Sequence, residues 1–573
     1  MINRLRSLST TGVLLALVAF SLTLTPSLVP SSALFMGLLG GLWTAIGYGT
    51  GVVLDRLVAL PSDESLVGRA RRAGVRFGER MRRDLPALPW KAVLAVAAVV
   101  YLVGYGAIVV HWQNEVRALV EMPALESVSV GVFALVAVVG CGLGVVIGTG
   151  LAWLARRASG VVSRRGAGRV ATALAGFGAI VVGIVVVLAV LVGVGLGAVD
   201  RIYSSANDKT SPGTAEPAST YRSAGTGSAV AWAGLGRHGR DFVAGGPDAS
   251  EITAVTGMPA IEPIRVYAGI GNAGTLEERA ALAVAELKRT GAFDRKVLVV
   301  ATPTGSGWLE PQAVDAIEYL YGGDTAIVAT QYSYEPSWVS FLFAADVPGE
   351  AARALVDAVR AEWLTLPESA RPKLAVYGLS LGAMGAQDGV GDLDAILEKT
   401  DAALFVGPPN ASQPWRTLQE SRDAGSPAWQ PVLDGGAHVR WLSQNGDFDK
   451  LSGQWDAPRV AYLQHGTDAV TWLDPAVIWQ RPEWLRGSAS EGGRSPDVSD
   501  SMIWVPGVTY LQLVADMMLG LTPPAHHGHN FGDVMADGWA GVLPDHGLDA
   551  AAVDRIQTVM EQYPFSAEDS VWE

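Results

Sequence analysis

Long apolar runs fill most of the first two hundred residues, and a water-soluble domain cannot bury that many of them. Five segments of about 18 or more residues carry almost no charge, which is the length and composition that a membrane-spanning helix needs. They are residues 11–29, 33–54, 92–110, 128–155 and 170–199. The sequence therefore predicts an α-helical transmembrane domain of about five helices over residues 1–203.

The positions of the arginines between these segments predict the direction in which each helix crosses the membrane. They are concentrated before the first segment, between the second and third (residues 56–83) and between the fourth and fifth (residues 156–169), whereas residues 30–32 and 111–127 carry almost no positive charge. The positive-inside rule then puts the N-terminus in the cytoplasm and everything after Asp200 on the outer side of a cell membrane. A cleaved signal peptide is the alternative reading of the first segment, and it would leave this downstream topology unchanged. Because only His111 interrupts the segments with an ionisable group, and at a segment end, an anchor is favoured over a transporter.

Charge and cysteine content exclude several classes of protein. The net charge is −14, and the arginines lie between apolar runs while the rest of the chain is acidic. A nucleic-acid-binding protein would instead carry a basic face on its globular part, so no nucleic-acid partner is expected. The single cysteine, Cys141, lies within an apolar run, which excludes intrachain disulfides and cysteine-based metal sites. We expect no metal and no cofactor.

Beyond a Ser/Thr/Gly/Pro-rich stretch at residues 204–228, predicted as a linker, short β-branched runs alternate with amphipathic stretches. Strands are predicted at residues 264–268, 296–301, 325–331, 373–377, 402–406 and 459–463, with helices at 276–289, 311–321 and 348–364. This alternation predicts an α/β domain over residues 229–573, with a mostly parallel sheet covered on both faces. Ligands of such a sheet bind at the carboxyl ends of its strands.

A candidate nucleophile lies at the end of one predicted strand, in the sequence Gly378-Leu379-Ser380-Leu381-Gly382. In the G-x-S-x-G pattern the serine lies on a tight strand-to-helix turn, and the two glycines leave room for neighbouring backbone. The turn lifts the serine oxygen above the sheet and next to a helix N-terminus, which stabilises developing negative charge. Ser380 is therefore predicted to be catalytic; a structural Gly/Ser turn is the alternative.

The acid and the base of such a site follow the serine in the chain, in the order Ser, Asp or Glu, His. Asp468 lies in the loop after the predicted strand 459–463 and is the expected acid, with Asp474 and Asp447 as weaker rivals. Only three histidines follow it: His526, His527 and His529. We expect His529 to be the base, with His527 and then His526 as alternatives. A surface histidine cluster is the non-catalytic interpretation, and His465 is expected to be structural.

Two backbone N–H donors are needed for the oxyanion of an acyl-transfer reaction. One is expected from Leu381, directly after the nucleophile. The other is expected from the glycine-containing loop after strand 296–301, where Thr304, Gly305 and Ser306 are candidates that the sequence does not rank.

The chain as a whole resembles the membrane-anchored α/β-hydrolase family of actinobacteria. Motifs spread over its length carry the resemblance: Leu235-Gly236-Arg237, Gly239 to Val243, Thr304 to Trp308, Gln331 to Tyr334, Pro336 to Trp338, Gly378 to Gly382, Val406 to Asn410, and Gly528-His529. In that family the residue before the serine is commonly acidic, whereas here it is Leu379. The resemblance implies an N-terminal multi-span domain, an α/β-hydrolase fold and a serine hydrolase activity, but says little about the substrate.

Together these features predict a membrane-anchored extracytoplasmic serine hydrolase that cleaves acyl esters, such as envelope lipids, through an acyl-enzyme on Ser380. An acyltransferase acting on envelope lipids or glycans with the same residues, and a non-catalytic envelope-assembly protein with a relict hydrolase domain, are the alternatives. The expected partners are a lipid bilayer and an acyl-ester substrate. Residues 409–456 are a possible lid. Neither the acyl group nor the oligomeric state follows from the sequence.

Overall fold

The computed structural model describes residues 9–58, 90–520 and 522–563. The chain divides into two compact units. Unit 1 consists of Met1–Val194 together with Ser499–Ala515, and unit 2 consists of Gly195–Val498 together with Asp516–Glu573. The segment Ser499–Ala515, which the sequence placed within the domain 229–573, therefore groups with the apolar helices.

Five apolar helices come first in the described chain. They are α1 (Thr10–Leu22), α2 (Ala33–Val58), α3 (Trp90–Leu119), α4 (Ser127–Arg164) and α5 (Arg169–Asn207). By length and composition, four stretches among the described residues are suited to crossing a membrane: Ala33–Asp55, Val96–Leu119, Ser127–Arg164 and Val170–Asn207. These four overlap four of the five predicted segments.

The remaining predicted segment, residues 11–29, differs from expectation. Its helix α1 has only 13 residues, which gives about 20 Å at 1.5 Å per residue, less than the roughly 30 Å of a bilayer core. Pro26 and Pro30 follow it, and proline stops a helix because it lacks the N–H donor. Pro26 lies inside the predicted segment and Pro30 directly after it, so the helix ends before the segment does.

Close backbone approach holds parts of unit 1 together. A Cβ atom on Gly37 of α2 would lie 2.8 Å from the carbonyl oxygen of Phe133 in α4, so only glycine allows the two helices to pack at this distance. The returning segment Ser499–Ala515 adds polar contacts to unit 1. Ser499 donates to Glu115 at 2.6 Å, and the Gln512 amide donates to the Thr25 carbonyl at 2.7 Å.

Unit 2 contains a seven-stranded sheet in the order β1-β3-β2-β4-β5-β7-β6. The strands are β1 (Ile264–Ala268), β2 (Val297–Thr302), β3 (Thr325–Thr330), β4 (Lys373–Leu379), β5 (Ala402–Val406), β6 (Val439–Leu442) and β7 (Arg459–Leu463). Every pair is parallel, so the predicted fold class is confirmed. Strand β6 lies inside residues 409–456, so these four residues of the segment predicted as a possible lid belong to the edge of the sheet.

Helices cover both faces of this sheet. The helices after α5 in chain order are α6 (Gly236–Ala244), α7 (Ala249–Thr256), α8 (Leu276–Thr290), α9 (Pro311–Leu320), α10 (Ser337–Phe343), α11 (Val347–Thr365), α12 (Leu381–Val390), α13 (Leu393–Lys399), α14 (Trp415–Glu420), α15 (Ala469–Trp472), α16 (Val508–Leu519), α17 (Met535–Val542) and α18 (Ala550–Glu561). Of these, α16 begins in the segment Ser499–Ala515 of unit 1 and is not counted among the helices that cover the sheet. Alternate residues of β2 enter two separate cores: Val299 packs with Trp539, whereas Val300 packs in the core that holds Leu355. Burial on both faces explains why the strands read as continuous apolar runs.

The stretch predicted as a linker, residues 204–228, is part of unit 2 and is packed into it. Within it, Arg222 and Ser223 are buried. The Arg222 guanidinium pairs with Glu262 at 3.2 Å, and Ser223 accepts a hydrogen bond from the Tyr267 amide at 3.1 Å. The polar composition of this stretch predicted a linker. Its packing could not be predicted because Glu262 and Tyr267, which bind its side chains, lie far away in sequence.

Candidate active site

Ser380 occupies a strained turn between β4 and α12. Its backbone angles are φ 55° and ψ −124°, a region that L-residues rarely adopt and that costs free energy unless the surroundings enforce it. The Ser380 amide donates to the carbonyl of Val406 in the neighbouring strand at 2.8 Å, which fixes the turn from the side. The serine lies at the carboxyl end of the sheet, as G-x-S-x-G predicts.

The two glycines of the pattern are required by close contacts. A Cβ atom on Gly378 would collide with the carbonyl of Gly382, and one on Gly382 would collide with the carbonyl of Thr302 at the end of β2. Both obstacles are backbone atoms, which cannot rotate away as a side chain can. The G-x-S-x-G spacing therefore follows from close backbone contacts within this turn. The contact between Gly382 and Thr302 brings the end of β2 next to the turn that carries Ser380.

Asp468 and His529 form a hydrogen-bonded pair. Nδ1 of His529 lies 2.8 Å from Oδ2 of Asp468, and the Asp468 side chain is fully buried. The other carboxylate oxygen of Asp468 accepts from the Val470 amide at 2.9 Å, so the acid is held in place from the start of α15. Because the acceptor fixes the proton on Nδ1, Nε2 of the same ring is left as the basic nitrogen.

The other two late histidines have different surroundings. His527 contacts Asp497, with Nδ1 3.2 Å from Oδ2, and His526 lies 3.7 Å from Asp533. Neither pairs with Asp468 in the described structure. Of the three histidines, only His529 lines the cavity that also contains Ser380.

A second layer of polar groups holds the turn that carries His529. The Gly528 amide donates to the Thr467 hydroxyl at 2.9 Å, and that hydroxyl donates to Asp497 at 2.9 Å. His465 contacts the Gly528 carbonyl through Nδ1 at 3.0 Å. Burial lowers the pKa of His465 to about 4, so its ring is neutral near pH 7 and serves as a hydrogen-bonding support, the structural role expected from the sequence.

The rival acids have structural partners. Asp474 precedes a short turn, where its side chain accepts from the Ala476 amide at 2.8 Å, and it also pairs with Arg416 at 3.2 Å. Asp447 accepts from the Ser443 amide at 2.8 Å. Both carboxylates are used to close turns.

A cavity of about 290 Å³ opens over the serine. Three of its lining residues are polar, namely Ser337, Ser380 and His529, and the other eight are apolar: Trp338, Phe341, Leu381, Pro409, Val470, Leu473, Met517 and Met518. We call this the acyl cavity. Apolar walls with a few convergent polar groups are typical of small-molecule sites, and these walls favour an aliphatic group next to Ser380.

The residues that were expected to supply the oxyanion donors have different surroundings. Leu381 begins α12 and lines the acyl cavity, so its N–H lies at a helix N-terminus next to Ser380, where anions are favoured. The Thr304 amide already donates a hydrogen bond to the Trp308 carbonyl at 2.9 Å. The Gly305 amide donates to the Ser337 hydroxyl at 3.0 Å, and that serine lines the cavity. Ser306 is buried and does not line it.

Sequence reasoning missed a buried carboxyl group near the pair. Glu310 is only 2 % exposed, and neither of its carboxyl oxygens has a hydrogen-bond partner among the described residues. Burial raises the pKa of Glu310 to about 8, with His529 opposing the shift and Asp533 adding to it. The group therefore holds its proton at neutral pH. In the sequence an acid just before Pro311 looks like an ordinary helix cap.

Two family models match the chain. One is described as an alpha/beta-hydrolase family and matches residues 264–556, and the other is described as the N-terminus of an alpha/beta-hydrolase family and matches residues 24–247. No curated protein and no solved structure matches the chain. The first match covers the sheet and all the residues described above from Ser380 to His529.

Proposed function

Because the chain belongs to the α/β-hydrolase family, we propose that unit 2 is a serine esterase that works through Ser380, His529 and Asp468. One observation carries the proposal: Ser380 and His529 line the same apolar cavity, and Asp468 holds the imidazole of His529 by its other nitrogen. A nucleophile, a base and an orienting acid in that relation are the parts that acyl transfer requires.

The reaction proceeds in two halves. His529 takes the proton of Ser380 as the serine oxygen attacks the ester carbonyl, and Asp468 stabilises the resulting imidazolium. The Leu381 amide, at the N-terminus of α12, stabilises the oxyanion. Collapse expels the alcohol, which receives the proton from His529. In the second half His529 takes a proton from water as the water attacks the acyl-enzyme, and it returns this proton to the Ser380 oxygen as the carboxylic acid leaves.

The acyl cavity supports an aliphatic acyl group as the substrate portion next to the serine. Its eight apolar lining residues offer almost nothing for a charged or strongly polar acyl part to bind, and each buried methylene contributes about 0.8 kcal/mol. A peptide would bring polar backbone groups into the cavity, where only Ser337, Ser380 and His529 offer polar side chains. Esters of fatty acids therefore fit better than peptides.

The location that we propose is the outer side of a cell membrane, with helices in unit 1 as the anchor. The arginine-rich stretches 56–83 and 156–169 flank α2 to α5 on what the positive-inside rule makes the cytoplasmic side. That assignment does not depend on whether the short helix α1 crosses the bilayer. Envelope lipids are then the esters within reach.

The activity is tested with the full chain in lipid nanodiscs and p-nitrophenyl butyrate as substrate. We expect release of p-nitrophenolate and butyrate, with Ser380→Ala reducing the rate by at least about 10³-fold. A Ser380→Ala variant that retained the wild-type rate would contradict the proposal. Butyrate recovered on a lipid or sugar acceptor instead of in water would identify an acyltransferase.

The location is tested with single cysteines in a Cys141→Ser background, labelled in intact cells by a membrane-impermeant maleimide. Glu398→Cys in α13 should react, whereas Arg165→Cys should react only after the membrane is opened. The reverse pattern would overturn the proposed orientation and leave the esterase assignment standing.

A further inference from the structure

Helix α10 carries apolar side chains in three directions. Val339 is buried in the fold, and Trp338 and Phe341 line the acyl cavity. The next two residues, Leu342 and Phe343, are instead 61 % and 56 % exposed. A surface helix normally presents polar residues on its outer side. Two large apolar side chains in that position therefore indicate a contact with something other than water.

The mouth of the acyl cavity continues this apolar surface. Met518, near the end of α16, lines the cavity and is nevertheless 64 % exposed, so it lies where the cavity opens. Leu342 and Phe343 directly follow the cavity residue Phe341 in α10. We call Leu342, Phe343 and Met518 the apolar rim. Contiguous exposed apolar surface of this kind marks a site of protein or membrane contact.

The last turns of α5 belong to unit 2 and are bonded to the loop before α10. Asp200 is the first charged residue after the apolar run 170–199. Because a charge inside the hydrocarbon core is costly, Asp200 marks the level at which α5 leaves a bilayer. The Tyr334 hydroxyl donates to Asp200 at 2.7 Å, and the Gln331 amide donates to the Asn207 side chain at 2.9 Å. The loop is thus held at the membrane end of unit 2.

This contact determines how far α10 is from the membrane surface. Helix α10 begins at Ser337, three residues after Tyr334, and three residues span at most about 11 Å. The chain enters unit 2 a second time at Asp516, and the cavity residues Met517 and Met518 follow directly. Both elements of the apolar rim therefore start close to a point at which the chain arrives from the apolar helices.

The segment around α10 carries no positive charge. Residues 331–350 contain Glu335, Asp346 and Glu350 but neither lysine nor arginine. Attraction to anionic lipid headgroups depends on clusters of lysine and arginine. A membrane contact through this segment must therefore come from burial of apolar side chains between the lipids, and neutral lipid is sufficient for it.

We propose that the apolar rim rests in the leaflet next to unit 2, so that acyl chains enter the acyl cavity directly from the bilayer. The proposal deepens the proposed function and rests on it, because it makes lipid esters that reside in the membrane the substrate class. An acyl chain that moves from lipid into the cavity passes from one apolar environment to another. It is not exposed to water before Ser380 attacks the ester.

Fluorescence quenching tests the membrane contact without requiring activity. Leu342→Cys, in a Cys141→Ser background, is labelled with the fluorophore NBD, and the full chain is placed in phosphatidylcholine nanodiscs with or without lipids that carry a doxyl quencher on the acyl chain. The matched control is Leu364→Cys. Leu364 is also exposed, but it lies near the end of α11, which leads to the start of β4, at the edge of the sheet opposite Ser380.

The doxyl lipids should reduce the emission of the Leu342 label by about two-fold or more, because apolar side chains of an interfacial helix reach the acyl chains. The Leu364 label should not respond. Equal quenching of the two labels, or of neither, would overturn the inference. Blue-shifted emission without quenching would overturn it in favour of a second copy of the chain as the cover. Quenching that requires phosphatidylglycerol would overturn docking by apolar burial.

Kinetics test whether the apolar rim delivers the substrate. The double variant Leu342→Ser, Phe343→Ser should lower kcat/KM for 4-methylumbelliferyl palmitate held in the nanodisc bilayer by about ten-fold or more, since two large apolar side chains lose their burial. The rate with dissolved p-nitrophenyl butyrate should not change, and Leu364→Ser should affect neither ester. Equal losses on the two esters, or no loss on either, would contradict delivery from the bilayer.

Fluorophosphonate labelling of the wild type separates this inference from the proposed function. A chain that is labelled but whose apolar rim is not quenched loses only the membrane contact. A chain that is not labelled loses the proposed function, whatever the quenching result.

Discussion

Nδ1 of His529 and Oδ2 of Asp468 lie 2.8 Å apart, across 61 residues of sequence. The contact joins the loop after β7 to the turn before α17. It gives the imidazole one fixed orientation relative to the acyl cavity, and the first prediction follows from it.

Asp468→Asn should lower kcat on p-nitrophenyl butyrate by roughly 10³- to 10⁴-fold with little change in KM, because an amide favours the wrong imidazole tautomer and cannot stabilise the imidazolium. Steady-state kinetics check this. Asp474→Asn is the matched control and should keep at least half of the activity. Comparable losses in the two variants would remove Asp468 from the mechanism.

Gly407→Ala should displace the imidazole ring of His529. A Cβ atom on Gly407 would lie 2.6 Å from Cε1 of His529, so the imidazole must shift. Gly435 is the matched control, since its φ of 62° resembles the 49° of Gly407 but a Cβ there would meet nothing within 4 Å. Both alanine variants carry the cost of a left-handed backbone conformation, about 1–2 kcal/mol. Only Gly407→Ala should lose activity, by ten-fold or more; equal activities would show that the contact has no catalytic importance.

Filling the acyl cavity should change the preferred acyl length. Leu473 lines the cavity, and Leu473→Trp would occupy space that a long chain uses. We expect kcat/KM for p-nitrophenyl laurate to fall about ten-fold or more, from the loss of two or more buried methylenes, while the acetate ester changes less than three-fold. Leu342→Trp, on an exposed position of α10, is the control. Parallel losses on both esters would argue against an acyl site here.

The buried carboxyl of Glu310 predicts a pH dependence of stability. Burial raises its pKa from 4.5 in the unfolded chain to about 8 in the fold, so the folded state favours the protonated form. The cost of ionising it is absent below about pH 4.5, grows through the window between the two values, and is complete above pH 8. Glu310→Gln removes this cost.

We therefore expect Glu310→Gln to raise the Tm relative to wild type at pH 9 by clearly more than at pH 5.5, measured by thermal unfolding of the detergent-solubilised chain. Glu277→Gln, on an exposed position of α8, should show no such difference between the two pH values. If the Tm of Glu310→Gln differed from that of wild type by the same amount at pH 5.5 and pH 9, Glu310 would keep one protonation state between these two pH values.

The sequence was sufficient for the features that depend on local pattern. The predicted strand 373–377 corresponds to β4, and G-x-S-x-G marked the turn that follows it, because both depend on residues next to one another. The short strand β6 was missed since four residues, Val439–Leu442, lie in a stretch dominated by turns. Helix α1 was overestimated because hydrophobicity alone does not register the two prolines after it.

Features that depend on distant partners could not be predicted. Nothing near Glu310 in sequence indicates that both of its oxygens are buried, and the contact of His527 with Asp497 links positions that carry no common motif. Such sites appear only once the packing of the chain is known.

The most direct test of the central claim is the identity of the residue that a fluorophosphonate labels. The full chain in nanodiscs is treated with the probe, digested and analysed by mass spectrometry. The account predicts a single adduct on Ser380 that is absent from Ser380→Ala and reduced in His529→Ala. A wild-type chain that does not react, or a Ser380→Ala variant that is labelled as strongly as wild type, would contradict it.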